Sequence, residues 1–204
     1  MNDGTVSGSA GVVLGGGLAT LLLVPAGDDI AVVEVGDGVA VEVPRSLDPS
    51  RLEQHVSLSM PPRPVIAGRQ TLIDLARVLL SAEAVGVARE STELAAAYAK
   101  ERIQFGRPIA MYQAVKHHCA NMIVATRLAT SAVWDAARAT STGGDQLTCA
   151  AAVAAALAAP AADLCANLST QVHGGIAITR TWRAPVRAAG HHTPRPPRGR
   201  RRSG

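Results

Sequence analysis

Residues 98–113 read YAKERIQFGRPIAMYQ, and this stretch decides how the second half of the chain folds. Tyr98 and Arg102 are four residues apart, so they share one face near the end of a helix. Gly106 can adopt the left-handed conformation that ends a helix, and Pro108 prevents that helix from continuing. We predict the last turn of one helix, a tight corner holding an Arg, a Gln and the only Phe, and the first turn of the next helix. The alternative is a plain helix hairpin whose Arg lies near carbonyl ends.

The composition favours close-packed helices in a reducing compartment. Of the 204 residues, 48% are hydrophobic but only 2% are aromatic, so the core volume must come from Ala, Val and Leu. The three cysteines, Cys119, Cys149 and Cys165, are odd in number, widely spaced and set in helical patterns. They predict reduced, buried thiols in a cytoplasmic protein, with no disulfide and no metal site.

The basic charge of the chain is concentrated at its C-terminus. The whole chain carries a formal net charge of +4, but residues 183–204 contain seven Arg and no acidic residue, which leaves −3 for the rest. This tail has no helical or strand periodicity, so we predict that it is disordered. Because no aromatic residues alternate with its arginines, we predict no specific nucleic-acid partner.

The uncharged run Gly4–Gly27 is long enough to span a bilayer. It nevertheless contains seven glycines, follows Asp3 rather than a basic residue, and includes Pro25, which would end a helix. We therefore predict no membrane segment. The glycines at 15–17 lack the spacing of a dinucleotide fingerprint and are predicted to lie in a loop.

Short β-branched runs separated by Gly-Asp turns predict four strands, at Leu21–Val24, Ile30–Val35, Val39–Val43 and His55–Met60. Ile30–Val35 and Val39–Val43, joined by Gly-Asp-Gly, are predicted to form a hairpin or meander. Four strands do not complete a sheet domain, so an exposed edge should remain.

Prolines at 61, 62 and 64 mark a linker, and the hydrophobic period then becomes helical. We predict three helices, at about Gln70–Gln104, Tyr112–Ser141 and Gln146–Leu168, with Asp145 as an N-cap and a kink or break at Pro160. Short corners make the bundle antiparallel, one helix short of the common four. Gly86 should allow another helix to approach closely. The predicted core residues are Leu72, Leu75, Leu79, Val85, Leu94, Val115, Cys119, Met122, Ile123, Leu128, Val133 and Trp134.

The segment Gln171-Val-His-Gly-Gly175 ends the third helix. Its two glycines leave backbone N–H groups bare of side chains, and such groups can approach a phosphate or an adenine edge closely. Gln171 offers a donor and an acceptor beside them. The alternative is an ordinary helix stop, with His173 packed or at the surface.

Taken together, YAKER-x-QFGRPI, Gln113 and Gln171-x-x-Gly-Gly resemble the C-terminal helical bundle of the acyl-CoA dehydrogenases. Asp48-Pro-Ser-Arg51 followed by a strand is similar to the end of that family's middle β-domain. The implied fold is mainly α, an antiparallel bundle preceded by a partial β-domain. We assign residues 1–60 to the β-domain, 61–69 to a linker, 70–182 to the bundle and 183–204 to the tail.

The resemblance implies that FAD binds between the bundle of one subunit and the β-domain of another, in a homo- or hetero-oligomer. In the family, the Arg that matches Arg102 meets the flavin's pyrophosphate, and residues matching Gln104, Phe105 and Gln113 complete that contact. A guanidinium fork makes bidentate, charge-assisted contacts to phosphate oxygens, which agrees with this role.

Further roles follow from the same resemblance. Gln171, Gly174 and Gly175 would receive the ADP half of FAD. Asp74 and Arg77 resemble a pair beside the thioester end of the acyl-CoA substrate, although an i,i+3 surface ion pair is the alternative.

The family reaction removes hydrogens from the α and β carbons of an acyl-CoA, with a Glu as the base, and an electron-transfer flavoprotein takes the electrons. The two family positions for this Glu do not match here: nothing similar follows Gly175, and Ala76 occupies the other. Glu83 lies two turns beyond Ala76, but a structural role is the alternative, so we assign no catalytic residue.

From the resemblance, we expect no counterpart of the family's N-terminal helical domain before the β fragment. The segment after Trp182, which is rich in Arg, Pro and Gly, suggests an out-of-frame ending. Two functions therefore remain open. One is an FAD-dependent acyl-CoA dehydrogenase in a truncated or partner-dependent form. The other is a non-catalytic interaction or partner subunit derived from that family.

Overall fold

The computed structural model describes five stretches of the chain, residues 6–14, 18–36, 38–42, 53–60 and 65–178. Two compact units emerge, residues 1–74 and 75–204. The first is built of strands and the second of helices, so the predicted fold class, an antiparallel bundle preceded by a partial β-domain, is confirmed. Several predictions lie outside the described residues: the loop at 15–17, the segment from Asp48 to Arg51, the prolines at 61, 62 and 64, and the tail 183–204.

Six described strands precede the helices: β1 (Val6–Leu14), β2 (Leu21–Ala26), β3 (Asp29–Glu34), β4 (Val39–Glu42), β5 (Glu53–Met60) and β6 (Val65–Ala67). They form two antiparallel sheets with the orders β1-β5-β4 and β2-β3-β6. A bulge between Ser9 and Gly11 interrupts the pairing of β1 with β5. The sequence prediction contained neither β1, which is rich in Gly and Ser, nor β6, which falls inside the predicted linker.

The predicted hairpin or meander of Ile30–Val35 and Val39–Val43 is wrong. β3 pairs with β2 across the tight turn at Gly27 and Asp28, while β4 pairs with β5 in the other sheet. Gly27 has φ +64, which suits that two-residue turn and favours the local pairing. Ala31 and Val33 of β3 share one buried cluster with strand β5, so the two sheets enclose a common core.

The second unit contains most of α1 (Arg69–Glu101) and all of α2 (Gln113–Ala139) and α3 (Gly144–His173). α1 ends earlier than predicted because residues 103–108 form a small hairpin. α3 runs on to His173, and it continues through Pro160 without a break. The predicted N-cap at Asp145 is wrong: Gly143 is the cap, and Asp145 lies in the first turn, where its carboxylate faces the positive end of the helix dipole.

Alanine and other small residues form the core of the bundle. Ala88, Ala129, Ala154 and Ala158 are fully buried, and Met122 is the largest side chain among the fully buried residues. Several predicted core residues instead point outward, with exposed fractions up to 71% and 73% for Leu79 and Trp134: Leu75, Leu79, Ile123, Leu128 and Trp134. Small side chains allow the helices to approach closely, so they occupy the contacts that the prediction gave to the larger ones.

One polar contact joins all three helices inside this core. The Thr92 hydroxyl donates to the Ala88 carbonyl at 2.7 Å, and its oxygen lies 3.3 Å from the Thr126 hydroxyl and 3.7 Å from the sulfur of Cys165. α3 is also long and apolar enough to cross a membrane by length and composition, with a mean hydropathy of 1.8. Its buried alanines pack against α2, as expected of a core helix.

Gly86 makes no close helix contact among the described residues. A Cβ built there would meet no atom within 4 Å among the described residues. The approach of another helix that Gly86 would allow is therefore not made within the described part of the chain.

Candidate functional site

The corner between α1 and α2 is a two-residue β-hairpin. Strands β7 (Ile103–Gln104) and β8 (Arg107–Pro108) pair antiparallel, and Phe105 and Gly106 form the turn. Both turn residues have positive φ, 52° and 79°, as in the primed turns that match the twist of a hairpin. The left-handed Gly106 is confirmed. A bulky residue with positive φ is strained, yet Phe105 is 93% exposed.

Short hydrogen bonds fix this corner to the two helices. The Arg102 N–H donates to the Tyr98 carbonyl at 2.9 Å, and the Ile109 N–H donates to the Arg102 carbonyl at 2.8 Å. The Tyr112 hydroxyl donates to the Gln104 carbonyl at 3.1 Å. The Arg107 guanidinium lies over the Tyr112 ring, 4.5 Å from its centroid, in a cation–π contact. The backbone that carries Arg102 and Gln104 is therefore well defined.

The second segment lies at the end of α3. His173 is the last helical residue, and Gly174 caps the helix with φ +62 while its N–H donates to the Thr170 carbonyl. A 3₁₀ turn over Gly174–Ile178 follows. Gln171, Gly174 and Gly175 are all exposed. The predicted helix stop is therefore present, and the backbone around its two glycines is open to solvent.

A ring contact between Tyr98 and His173 brings the two segments together. Their centroids are 4.4 Å apart and their planes differ by 29°. α1 and α3 therefore run parallel, with their C-terminal ends side by side, and α2 begins at that same end. We call this end of the bundle the corner end; it carries Arg102–Gln113 and Gln171–Gly175.

His173 is 4% exposed, so the packed alternative is correct. Its Nδ1 lies 2.7 Å from the Ser169 carbonyl oxygen, which can only accept, so Nδ1 carries the proton. Burial lowers the pKa of His173 below its ordinary value of 6.5, and the bond to Ser169 opposes this shift. The imidazole is therefore neutral at physiological pH.

The corner end gathers all seven residues predicted to hold a cofactor, and each is exposed: Arg102, Gln104, Phe105, Gln113, Gln171, Gly174 and Gly175. Their chemistry is one guanidinium, three amides, one aromatic ring and bare backbone N–H groups. Such donors suit the phosphates and adenine of a dinucleotide. A Cβ at Gly175 would meet no atom within 4 Å among the described residues, so the packing of this chain does not itself require glycine there.

The residues predicted to contact substrate lie elsewhere. Asp74 is 1% exposed and accepts a hydrogen bond from Gln70 Nε2 at 3.0 Å. Arg77 is half-buried. It precedes Arg102 by 25 residues of α1, or about 37 Å at the helical rise. Ala76 and Glu83 are exposed.

The three cysteines are all free. Cys165 is buried and Cys119 half-buried, whereas Cys149 is exposed, so the prediction of buried thiols is wrong for Cys149. Burial raises the pKa of the Cys119 thiol. No cluster of three or more metal-ligating side chains occurs in the part of the chain that the structure describes.

Sequence reasoning missed two contributors to this geometry. The Tyr98–His173 stack joins residues 75 positions apart, so it depends on how α1 and α3 are aligned, which no local pattern reveals. The Arg107–Tyr112 contact is local, and an Arg directly after a tight turn, followed five residues later by a Tyr, was an available signal.

Comparison with known proteins identifies the bundle. The profile described as "Acyl-CoA dehydrogenase, C-terminal domain" matches residues 68–193. The acyl-CoA dehydrogenase FadE34 of Mycobacterium tuberculosis is 44% identical over 178 residues, which are 86% of this chain and 25% of that protein. The acyl-CoA dehydrogenase IpdE2 of the same species is 38% identical over 138 residues, 66% of this chain and 40% of that protein.

Two solved structures show the same architecture. A variant of the Tcur3481-Tcur3483 steroid ACAD matches with a TM-score of 0.81 and 27% identity, over 90% of this chain and 52% of that one. The ChsE4-ChsE5 complex from Mycobacterium tuberculosis matches with a TM-score of 0.77 and 26% identity, over 93% and 54%. The chain thus spans about half the length of these solved chains.

Proposed function

Because the chain belongs to the acyl-CoA dehydrogenase family, we propose that its corner end holds FAD for the α,β-dehydrogenation of an acyl-CoA thioester. This is an oxidoreductase reaction on a CH–CH bond, of the kind used in fatty acid metabolism. The observation that supports the proposal is the Tyr98–His173 stack, which brings the Arg102 corner and the Gly174–Gly175 turn to one end of the bundle.

Each exposed group at the corner end receives a role from its chemistry. The Arg102 guanidinium contacts the pyrophosphate with two parallel N–H donors. Gln104 and Gln113 add neutral amide donors, and Gln113 lies in the first turn of α2, where free backbone N–H groups also favour an anion. These residues bind and orient the cofactor.

The remaining cofactor residues serve the ADP half. Gly174 and Gly175 present backbone N–H groups without side chains in the way, and Gln171 pairs with an adenine edge or a ribose hydroxyl. The exposed ring of Phe105 covers the cofactor's apolar surface. A bound FAD would supply the acceptor for the hydride that leaves the β carbon of the substrate.

We place the acyl-CoA thioester beside Asp74 and Arg77. Since Arg77 lies about 37 Å along α1 from Arg102, the cofactor end and the substrate end of one chain serve different sites. A complete site then needs two subunits, one giving the corner end and another giving the substrate residues. We assign no catalytic base within the chain, and no metal.

Exposed apolar side chains on all three helices support an oligomer. Leu79 on α1, Trp134 on α2 and Leu164 on α3 face outward, and large exposed apolar surfaces mark protein contacts. We propose a homo- or hetero-oligomer with related subunits, and an electron-transfer flavoprotein as the electron acceptor. The three free cysteines favour the cytoplasm, without membrane insertion or a specific nucleic-acid partner.

A second candidate is a non-catalytic partner subunit that lends its corner end to another chain. The observation that favours it is Ala76, which occupies a family position for the base and cannot accept a proton. In this case the chain binds FAD only together with a related subunit that carries the base.

Flavin absorbance and a titration with FAD test the proposal, on the purified chain alone and mixed with full-length FadE34. We expect FAD to bind in at least one of these states, and acyl-CoA to bleach the flavin only where a base is present. Arg102→Ala should raise the Kd for FAD about 10–100-fold, because a charge-assisted contact is lost.

Arg138→Ala is the matched control. Arg138 is also an exposed arginine, but it pairs with Asp135 at 2.7 Å near the opposite end of α2. We expect the Kd for FAD to stay within twofold of wild type. If neither the chain nor the mixture binds FAD, or if both substitutions weaken binding equally, the proposed site is wrong.

A further inference from the structure

Tyr98 and His173 form the only described ring–ring contact between the two cofactor segments. Each residue also makes a backbone connection to its own segment. The Tyr98 carbonyl accepts the Arg102 N–H at 2.9 Å, and His173 directly precedes Gly174. The stack thus lies one helical turn from the Arg102 backbone and one peptide bond from the backbone of Gly174.

We propose that Tyr98 and His173 are positioning residues that set the spacing between the Arg102 corner and the Gly174–Gly175 turn, and thereby the affinity for a dinucleotide. This inference rests on the proposed function. It assigns the pair no contact with the cofactor.

The His173 ring has little freedom to move. It is 4% exposed, and its Nδ1–H donates to the Ser169 carbonyl one turn earlier at 2.7 Å. An aromatic ring has only two rotatable side-chain bonds, so a ring held by a hydrogen bond on one side and a stack on the other is rigid. Its position is therefore defined by α3.

The Tyr98 ring connects the fixed His173 ring to the corner between α1 and α2. It packs against the core of the bundle and against His173. The hydrogen bonds from Arg102 to Tyr98 and from Ile109 to Arg102 then continue from the last turn of α1 into the turn before α2. A shift of the ring would displace Arg102 relative to the glycines, and a misplacement of about 1 Å is costly at a site that orients its ligand.

The test compares variants that remove a ring with variants that keep it. His173→Leu and Tyr98→Leu keep an apolar side chain but abolish the stack, whereas Tyr98→Phe keeps the ring. Two quantities are measured: the Kd for FAD, in whichever state the wild-type protein binds it, and the amide hydrogen exchange of Arg102 and Ile109 without FAD. We expect either Leu variant to raise the Kd tenfold or more and to speed both amides tenfold or more.

Tyr98→Phe should stay within twofold of wild type in both measurements. The double variant with Leu at both positions should have a Kd for FAD no higher than that of the single variant with the higher Kd, because the two rings act as one unit. Val133→Ala, a truncation of a buried residue about 30 Å along α2 from Gln113, should lower the unfolding temperature without changing either quantity.

Two outcomes overturn the inference. One is a His173→Leu variant that loses stability but keeps the wild-type Kd and amide exchange. This result would show that the His173 ring contributes to packing alone. The other is a Val133→Ala variant that weakens FAD binding equally. If the wild-type protein binds no FAD in any state, the proposed function fails, and unchanged exchange of Arg102 in His173→Leu then overturns the positioning role separately.

Should His173→Leu fail to fold, His173→Phe replaces it. That variant keeps a ring against Tyr98 but loses the bond to Ser169, and we expect a smaller increase in exchange at Arg102 than at the amides next to residue 173. Equal increases at both places would contradict the transmission through the stack.

Discussion

The middle of the bundle and its corner end differ in what holds their side chains. In the middle, Met122, Ala129 and Ala154 are completely buried, and every neighbour that restrains them belongs to this chain. At the corner end, Phe105 is almost completely exposed on a strained backbone, and Arg102 is exposed too. The fold explains the residues in the middle. It does not explain those of the corner, and strain without internal contacts is typical of functional sites.

Met122→Ala should have the largest effect on stability. It removes the largest fully buried side chain in the middle of the bundle, and such truncations cost about 2–5 kcal/mol. Urea unfolding followed by circular dichroism measures the change. The folded fraction should bind FAD with unchanged affinity.

The neighbouring residue gives the control. Ile123 is exposed, so Ile123→Ala in the monomer should cost less than about 1 kcal/mol. Equal losses for the two variants would mean that Met122 is not the packed residue of this pair.

Gly174→Ala should have the next largest effect on stability. At φ +62 and ψ −141 the backbone of residue 174 has a conformation almost confined to glycine, and a side chain there costs about 1–3 kcal/mol. Gly175→Ala is the matched change, because its Cβ would meet no described atom within 4 Å. We expect Gly175→Ala to keep stability and lower the affinity for FAD. The reverse pattern in thermal unfolding and FAD titration would contradict the different roles given to the two glycines.

The parts of the corner that could be predicted are those set by backbone chemistry. Gly106, Pro108 and Gly174 restrict φ or remove a donor wherever they occur, so the turn between α1 and α2 and the helix stop at Gly174 follow from sequence alone. The roles of Arg102 and Gln171 came from a family resemblance, and they remain predictions.

The parts that failed depend on distances between elements. Leu79 was expected in the core because it belongs to an apolar stripe at helical spacing, whereas the close approach of the helices selects Ala88 and Ala95 there instead. The pairing of β3 with β2 rather than β4 is likewise a choice between two partners that a single strand pattern does not contain. Each wrong prediction concerns which faces of two helices or which edges of two strands are in contact.

Phe105→Gly should raise the free energy of unfolding, whereas most substitutions lower it. Positive φ costs a non-glycine residue about 1–2 kcal/mol, and the greater unfolded-state entropy of glycine offsets about 0.5–1 kcal/mol of the relief. We expect a net gain of up to about 1.5 kcal/mol in the free energy of unfolding, together with weaker FAD binding. Urea unfolding and FAD titration measure the two effects.

Phe105→Leu is the control, since it keeps an apolar side chain and the strain. Its free energy of unfolding should match the wild type. If Phe105→Gly also leaves the free energy of unfolding unchanged, the positive φ of Phe105 does not destabilise the folded chain. If it leaves FAD affinity unchanged, Phe105 does not contact the cofactor.

The smallest expected effect is the pH dependence that His173 gives to stability. Burial lowers its pKa in the folded chain below the 6.5 of the unfolded chain. Between these two values the unfolded chain binds more protons than the folded chain, so the free energy of unfolding falls as the pH falls. The contribution is fully present well above pH 6.5 and is lost as the pH drops through the folded pKa. Thermal unfolding from pH 8 to 5 measures it, and His173→Phe should flatten the curve in that window while wild-type chain loses stability. A stability advantage of the wild type over His173→Phe that grows as the pH falls would show that His173 is charged in the folded chain, and it would remove the neutral, stacked ring on which the organisation of the corner end depends.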